Sequence, residues 1–140
     1  MAKPSNDTRK IFVNLAVKDM NRSKEFFTKL GFEFNAQFTN DQGACMVISE
    51  DAFVMLLVEP FFQTFTQKGI CDASKLTEAI NGLSCSSRAE VDSLYERALA
   101  AGGSACQPPQ DYGFMYSRSF YDLDGHHWEV IWMDPAQVQS

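Results

Sequence analysis

The stretch Asp122-Leu-Asp-Gly-His-His-Trp-Glu-Val-Ile-Trp132 decides how this chain is read. A tight turn, Asp122 to Gly125, leads straight into a strand carrying two histidines and a glutamate. His127 and Glu129 are two residues apart, so on a strand their side chains share one face. His126 falls on the other face with Trp128, Val130 and Trp132, which suits packing on a helix. Two donors on one face can begin a metal site, or can belong to an ordinary strand after a turn. Two ligands do not make a site, so the rest of the chain has to choose.

Upstream of the turn, residues 116–121 read as the neighbouring strand. The loop Gln107 to Met115 before it is long and aromatic-rich, and can act as a lid or pack as a surface loop. A short strand at 104–106 precedes that loop. Farther back, Ser87-Arg-Ala-Glu90 is a capping box. It opens a helix through Val91, Leu94, Tyr95 and Ala98 that stops at Gly102-Gly103. A strand at 80–86 begins the series.

The same order occurs earlier. In Ile11-Phe-Val-Asn-Leu-Ala-Val17, one face holds Ile11, Val13, Leu15 and Val17, and the other Phe12, Asn14 and Ala16. Asp19 or Asn21 caps a helix with the stripe Phe26, Phe27, Leu30, and Gly31 ends it. Strands are expected at 32–39, 44–49 and 53–58, with turns at Asn40-Asp-Gln-Gly43 and Glu50-Asp51. Val17 registers over Cys85 and Phe26-Phe27 over Leu94-Tyr95. Gly31 meets Gly102 after one extra turn, a repeat of pattern more than of letters. Between the copies, the residues after Pro60 are too apolar for a floppy linker and take no clear element.

The expected organisation is a flexible leader at 1–9, a βαβββ module at 10–59, a connecting segment at 60–79, a second module at 80–134 and a tail at 135–140. A four-stranded module with one helix covers one face of its sheet. Two modules side by side can curl into a cup with a concave cavity. The fold class is α+β, two βαβββ modules forming a curled mixed sheet. On the cup face, parity places Phe12, Asn14, Met55, Leu57, Ser84, His127 and Glu129. Ser117, Ser119 and Tyr121 join them unless a bulge exchanges them for Tyr116, Arg118 and Phe120.

Composition narrows the partners. The 140 residues are 45% hydrophobic and 21% charged, a globular balance. A net charge of −6 with no Lys/Arg cluster speaks against nucleic acid. No apolar run approaches the roughly 20 residues that span a bilayer. The first ten residues have no apolar stretch behind their basic side chains, unlike a secretory signal, and the expected location is cytoplasmic. Cys45, Cys71, Cys85 and Cys106 form no CxxC pair and read as buried free thiols. A catalytic cysteine would need a nearby base, and His126 and His127 are the only histidines.

The arrangement resembles the vicinal-oxygen-chelate superfamily of glyoxalases, extradiol dioxygenases, fosfomycin-inactivating enzymes, bleomycin-resistance proteins and PhnB-like proteins. The resemblance spans about residues 9 to 134. Its letters are Val13-Asn-Leu-Ala-Val-Lys-Asp19, Ser23-Lys-Glu-Phe-Phe27 with Leu30-Gly-Phe32, and Phe120-Tyr-Asp-Leu-Asp-Gly-His-His-Trp-Glu129. The last matches the family turn D-P-D-G-x-x-x-E with Leu123 in place of proline. The resemblance implies a glyoxalase/bleomycin-resistance fold and, in metal-dependent members, four side chains on one divalent metal. Those positions fall on Phe12, near Met55, on Ile80 and on Glu129, so Glu129 alone keeps a ligand.

The resemblance therefore implies a small-molecule-binding protein without a catalytic metal or other cofactor, holding an apolar or aromatic molecule. Glu129 and His127 are its candidate catalytic or anchoring groups. His127 is the nearest candidate to neutralise Glu129. Relatives commonly dimerise, and a homodimer is expected. The alternatives are a divalent-metal-dependent lyase or dioxygenase, lactoylglutathione-lyase-like, using Glu129 and His127, and a structural or partner-binding module with a filled cavity.

Overall fold

A computed structural model describes residues 9–136, so nearly all of the expected leader and the end of the tail lie outside the described residues. The chain divides into two compact units, Met1–Ile70 and Cys71–Ser140. The division falls inside the 60–79 segment, which is shared between them.

In the first unit, β1 (Ile11–Val17) is followed by α1 (Met20–Lys29), β2 (Glu33–Phe34), β3 (Gly43–Val47), β4 (Ala52–Val58) and a short helix, α2 (Glu59–Gln63). The sheet order is β1-β4-β3-β2, with β1 parallel to β4 and the other pairs antiparallel. Asp19 opens α1 by accepting from the Arg22 N–H at 3.1 Å, a cap worth about 1 kcal/mol. Gly31 ends it at φ +104°, a conformation that costs glycine least. Phe26 and Phe27 are buried beside Leu15, Val17, Val54, Leu56 and Met46, where α1 lies on β3 and β4. Full burial of each such side chain contributes roughly 1.5–3 kcal/mol.

One expectation is corrected here, and one unassigned stretch takes a form. The strand expected at 32–39 is only two residues long. Asn35 accepts from the Gln37 N–H through its side chain at 3.0 Å. That local bond turns Ala36–Phe38 into a 3₁₀ turn. The apolar residues after Pro60 are in part a helix. α2 packs against β1 and β4, and Phe61 reaches the space beside Gly43. Phe65 meets Phe61 edge-on at 5.0 Å.

In the second unit, β5 (Ile80–Cys85), α3 (Arg88–Ala100), β6 (Ser104–Ala105), β7 (Gln110–Asp111), β8 (Met115–Tyr121) and β9 (His127–Met133) follow in turn. The order is β5-β9-β8-β6, and β7 also pairs with β8. The capping box forms in a shifted version. Ser87 accepts from the Glu90 N–H at 3.1 Å, and Glu90 reaches back to the Ser86 N–H at 2.8 Å. α3 has 13 residues against 10 in α1, which is the extra turn of the second copy. Phe120, Trp128 and Val130 are buried with Val91, Tyr95 and Ala98 of α3. The Arg118 guanidinium lies 3.7 Å from the Tyr95 ring centre, a cation–π contact on the same face.

The turn before β9 is built around Asp122. Its carboxylate accepts from Asp124 N–H at 2.9 Å, His126 N–H at 3.0 Å and the Trp128 indole N–H at 2.9 Å. Burial pushes the Asp122 carboxyl up, while the nearby His126 and these donors pull it down. Gly125 is at φ +93°, and a Cβ there would stand 2.6 Å from the Ala73 carbonyl oxygen. Among the described residues, no helix is long and apolar enough to cross a membrane.

Candidate functional site

The strand registers sort the expected site residues by face. In β8 and β9, Ser117 pairs with Ile131, Ser119 with Glu129 and Tyr121 with His127, without interruption. No bulge intervenes, so the three β8 residues share the face of Glu129 and His127. β5 adds Ile80 opposite His127, Gly82 opposite Glu129 and Ser84 opposite Ile131. In the first unit, Phe12 pairs with Phe53, Asn14 with Met55 and Ala16 with Leu57. Phe12, Asn14, Met55 and Leu57 thus share a face of their own sheet. Phe12 stacks on Phe53 at 5.1 Å, Asn14 donates to the Phe12 carbonyl at 3.2 Å, and Leu57 is buried.

A cavity of about 260 Å³ opens on the Glu129 face of the second unit. Ile80, Ser117, Arg118, Ser119, His127 and Glu129 line it from the strands, and Gln107, Pro108 and Gln110 from the loop. Ser84 and Tyr121 share the face but not the cavity wall. The loop 107–115 is fixed to the sheet, with Gln110 and Asp111 paired to β8. Arg88 grips Asp111 with two hydrogen bonds of 2.8 Å and donates to the Gly113 carbonyl at 3.0 Å. This hydrogen-bonded pair holds the Asp111 carboxyl down at about 2. The loop is therefore a wall of the cavity.

Glu129 is half-buried and makes no hydrogen bond or ion pair among the described residues. The expected pairing with His127 is not formed. Neighbours on one face of a strand stand roughly 6.5–7 Å apart, and the imidazole turns across the sheet instead. Its Nε2 is 3.5 Å from the Cys106 sulfur, and its ring meets Tyr121 edge-on at 5.7 Å. The Cys106 thiol raises the Tyr121 phenol above its ordinary value, chiefly through a hydrogen bond.

Cys106 is the residue that sequence reasoning passed over, although a base stands beside it. Parity held the signal. Ser104 pairs with Tyr121, and the Cys106 N–H reaches the Ser119 carbonyl at 3.4 Å. Position 106 therefore falls on the cavity face, beside His127 but, like Tyr121, not in the cavity wall itself. Nor are all four thiols buried. Cys45 is, Cys85 and Cys106 are half-buried, and Cys71 is exposed.

The divalent metal that the resemblance implies does not suit this donor set. Phe12 and Ile80 carry no ligand atom, and Met55 offers only a thioether, so Glu129 has no hard-ligand companions at the corresponding positions. Asp122, Asp124 and His126 do bring three donor atoms within 4.8 Å. The Asp122 oxygens there already accept the turn and indole hydrogen bonds described above.

Comparison with known proteins follows the same line. The family model described as Glyoxalase/Bleomycin resistance protein/Dioxygenase superfamily matches residues 11–130. A hypothetical protein from S. aureus has a similar structure, with TM-score 0.75 and 28% identity over 87% of this chain and 91% of that one. A glyoxalase-related enzyme from Fulvimarina pelagi gives TM-score 0.76 at 20% identity, covering 89% and 88%. A fosfomycin resistance protein from Mesorhizobium loti gives 0.67 at 15% identity, covering 93% and 96%. No curated protein matches.

Proposed function

The chain belongs to the glyoxalase/bleomycin resistance protein/dioxygenase superfamily, and from that premise we propose that it binds a small aromatic or apolar molecule without a resident catalytic metal. The observation that carries this reading is Glu129, a half-buried carboxylate without a partner among the described residues, in a cavity otherwise lined by Ile, Pro, Ser, Gln, Arg and His residues; the Arg118 guanidinium itself lies over the Tyr95 ring. A carboxylate so placed favours a ligand that donates hydrogen bonds to it. About 260 Å³ lies just below the roughly 300–1,000 Å³ of drug-sized sites. That volume suits a single substituted ring. Ile80 offers it an apolar wall, and the Ser117 and Ser119 hydroxyls offer polar contacts.

The test is a thermal-shift screen of single-ring aromatic amines, amides and phenols against chelator-treated protein, run in parallel on Glu129→Gln. Stabilisation of the native protein, lost in the variant, supports the proposal. Stabilisation only after a divalent metal is added, dependent on Glu129 and His127, would replace it with the lyase or dioxygenase reading. No stabilisation under either condition would favour a structural module with a filled cavity.

A further inference from the structure

We propose that Cys106 and His127 form a covalent capture site for soft carbon electrophiles, the α,β-unsaturated carbonyl compounds. The proposal stands on the geometry of the pair. The Cys106 sulfur is 3.5 Å from Nε2 and 3.9 Å from Nδ1 of His127, and His127 lines the cavity. An unprotonated imidazole nitrogen at that distance can take the thiol proton, as thiol nucleophiles require. The other thiols lack this arrangement. Burial raises Cys45. Burial and then the Glu90 carboxylate push Cys85 up to about 11. Cys71 is exposed, and its sulfur lies 3.9 Å from the Leu76 carbonyl oxygen.

The step balances without a further reactant. His127 accepts the proton of Cys106. The thiolate forms a carbon–sulfur bond to the β-carbon; the carbon–carbon π pair becomes a new π bond between the α-carbon and the carbonyl carbon, and the carbonyl π pair moves onto oxygen, giving an enolate. The imidazolium returns the proton to the α-carbon. Ser119 adjoins this position. Its hydroxyl oxygen accepts from the Gln107 N–H at 3.0 Å, which leaves its own hydrogen to donate to the enolate oxygen. The inference rests on the cavity admitting a small molecule. It does not require that Glu129 bind one, so the fragment screen can fail while this succeeds.

The probe is N-ethylmaleimide at limiting concentration, with labelling rates resolved cysteine by cysteine by peptide mass spectrometry. Cys71 serves as the exposed reference, and unlabelled Cys45 reports that the protein stays folded. Cys106 is expected to react about tenfold or more faster than Cys71. His127→Gln should remove that advantage while leaving the Cys71 rate unchanged and Cys45 protected. Cys106→Ser should abolish the fast phase. A Cys106 rate at or below that of Cys71, or one unmoved by His127→Gln in folded protein, would overturn the proposal.

Discussion

The Trp128 indole N–H donates to the Asp122 carboxylate at 2.9 Å, tying β9 to the turn that precedes it. Both residues are buried. The bond fixes where β9 begins, and hence which face carries Glu129. Asp122→Asn keeps the shape but exchanges one accepting oxygen for an amide NH₂, which would face an N–H donor. A hydrogen bond to a charged group is worth roughly 1.5–3 kcal/mol. Urea unfolding should show a loss of about that size.

Gly125 closes the same turn. Gly125→Ala forces a non-glycine residue to φ +93° and drives its Cβ to 2.6 Å from the Ala73 carbonyl oxygen. The variant should lose more than about 1 kcal/mol. A melting temperature equal to that of the native protein would show that the segment around Ala73 yields freely.

The Arg88–Asp111 pair sets an acid limit on the loop wall. The Asp111 carboxyl lies at about 2 in the folded protein, against its ordinary 3.8. A depressed carboxyl stabilises the fold above the ordinary value and loses that contribution as pH falls through the depressed one. Native protein should thus lose more stability than Asp111→Asn between about pH 4 and 2. The native-minus-variant difference isolates this pair from other carboxyls. Parallel acid-unfolding curves would contradict it.

A homodimer is predicted from the surface. Ile11, Phe12 and Phe65 are each more than half exposed, and exposed apolar surface of this kind favours association. Light scattering at micromolar concentration should give twice the mass of the chain. The monomer mass would count against a homodimer.

Much of the fold was legible because simple periodicities recorded it. The alternation in Ile11–Val17, the caps at Asp19 and Ser87 and the stops at Gly31 and Gly102 are local signals, and local bonds enforce them. The strand expected at 32–39 failed where the Asn35 side chain outcompeted the sheet, a choice that hydrophobicity does not encode. The face shared by His127 and Glu129 was legible from parity; for Ser119 and Tyr121 parity left a bulge open, and the uninterrupted register closes it. The partner of His127 was not. Parity fixes the face of a side chain but not its rotamer, and the contact with Cys106 runs across the sheet from a loop whose register the sequence leaves open.

The most direct test of metal-free binding at Glu129 is a calorimetric titration. The strongest fragment from the screen is titrated, in the presence of chelator, into native protein and into Glu129→Gln. Removing a charge-assisted hydrogen bond worth roughly 1.5–3 kcal/mol should weaken binding by about ten- to a hundredfold, with the melting temperature of the unliganded variant unchanged or higher. Equal affinity in the two proteins, or binding to native protein only when the chelator is replaced by a divalent metal, would contradict the account.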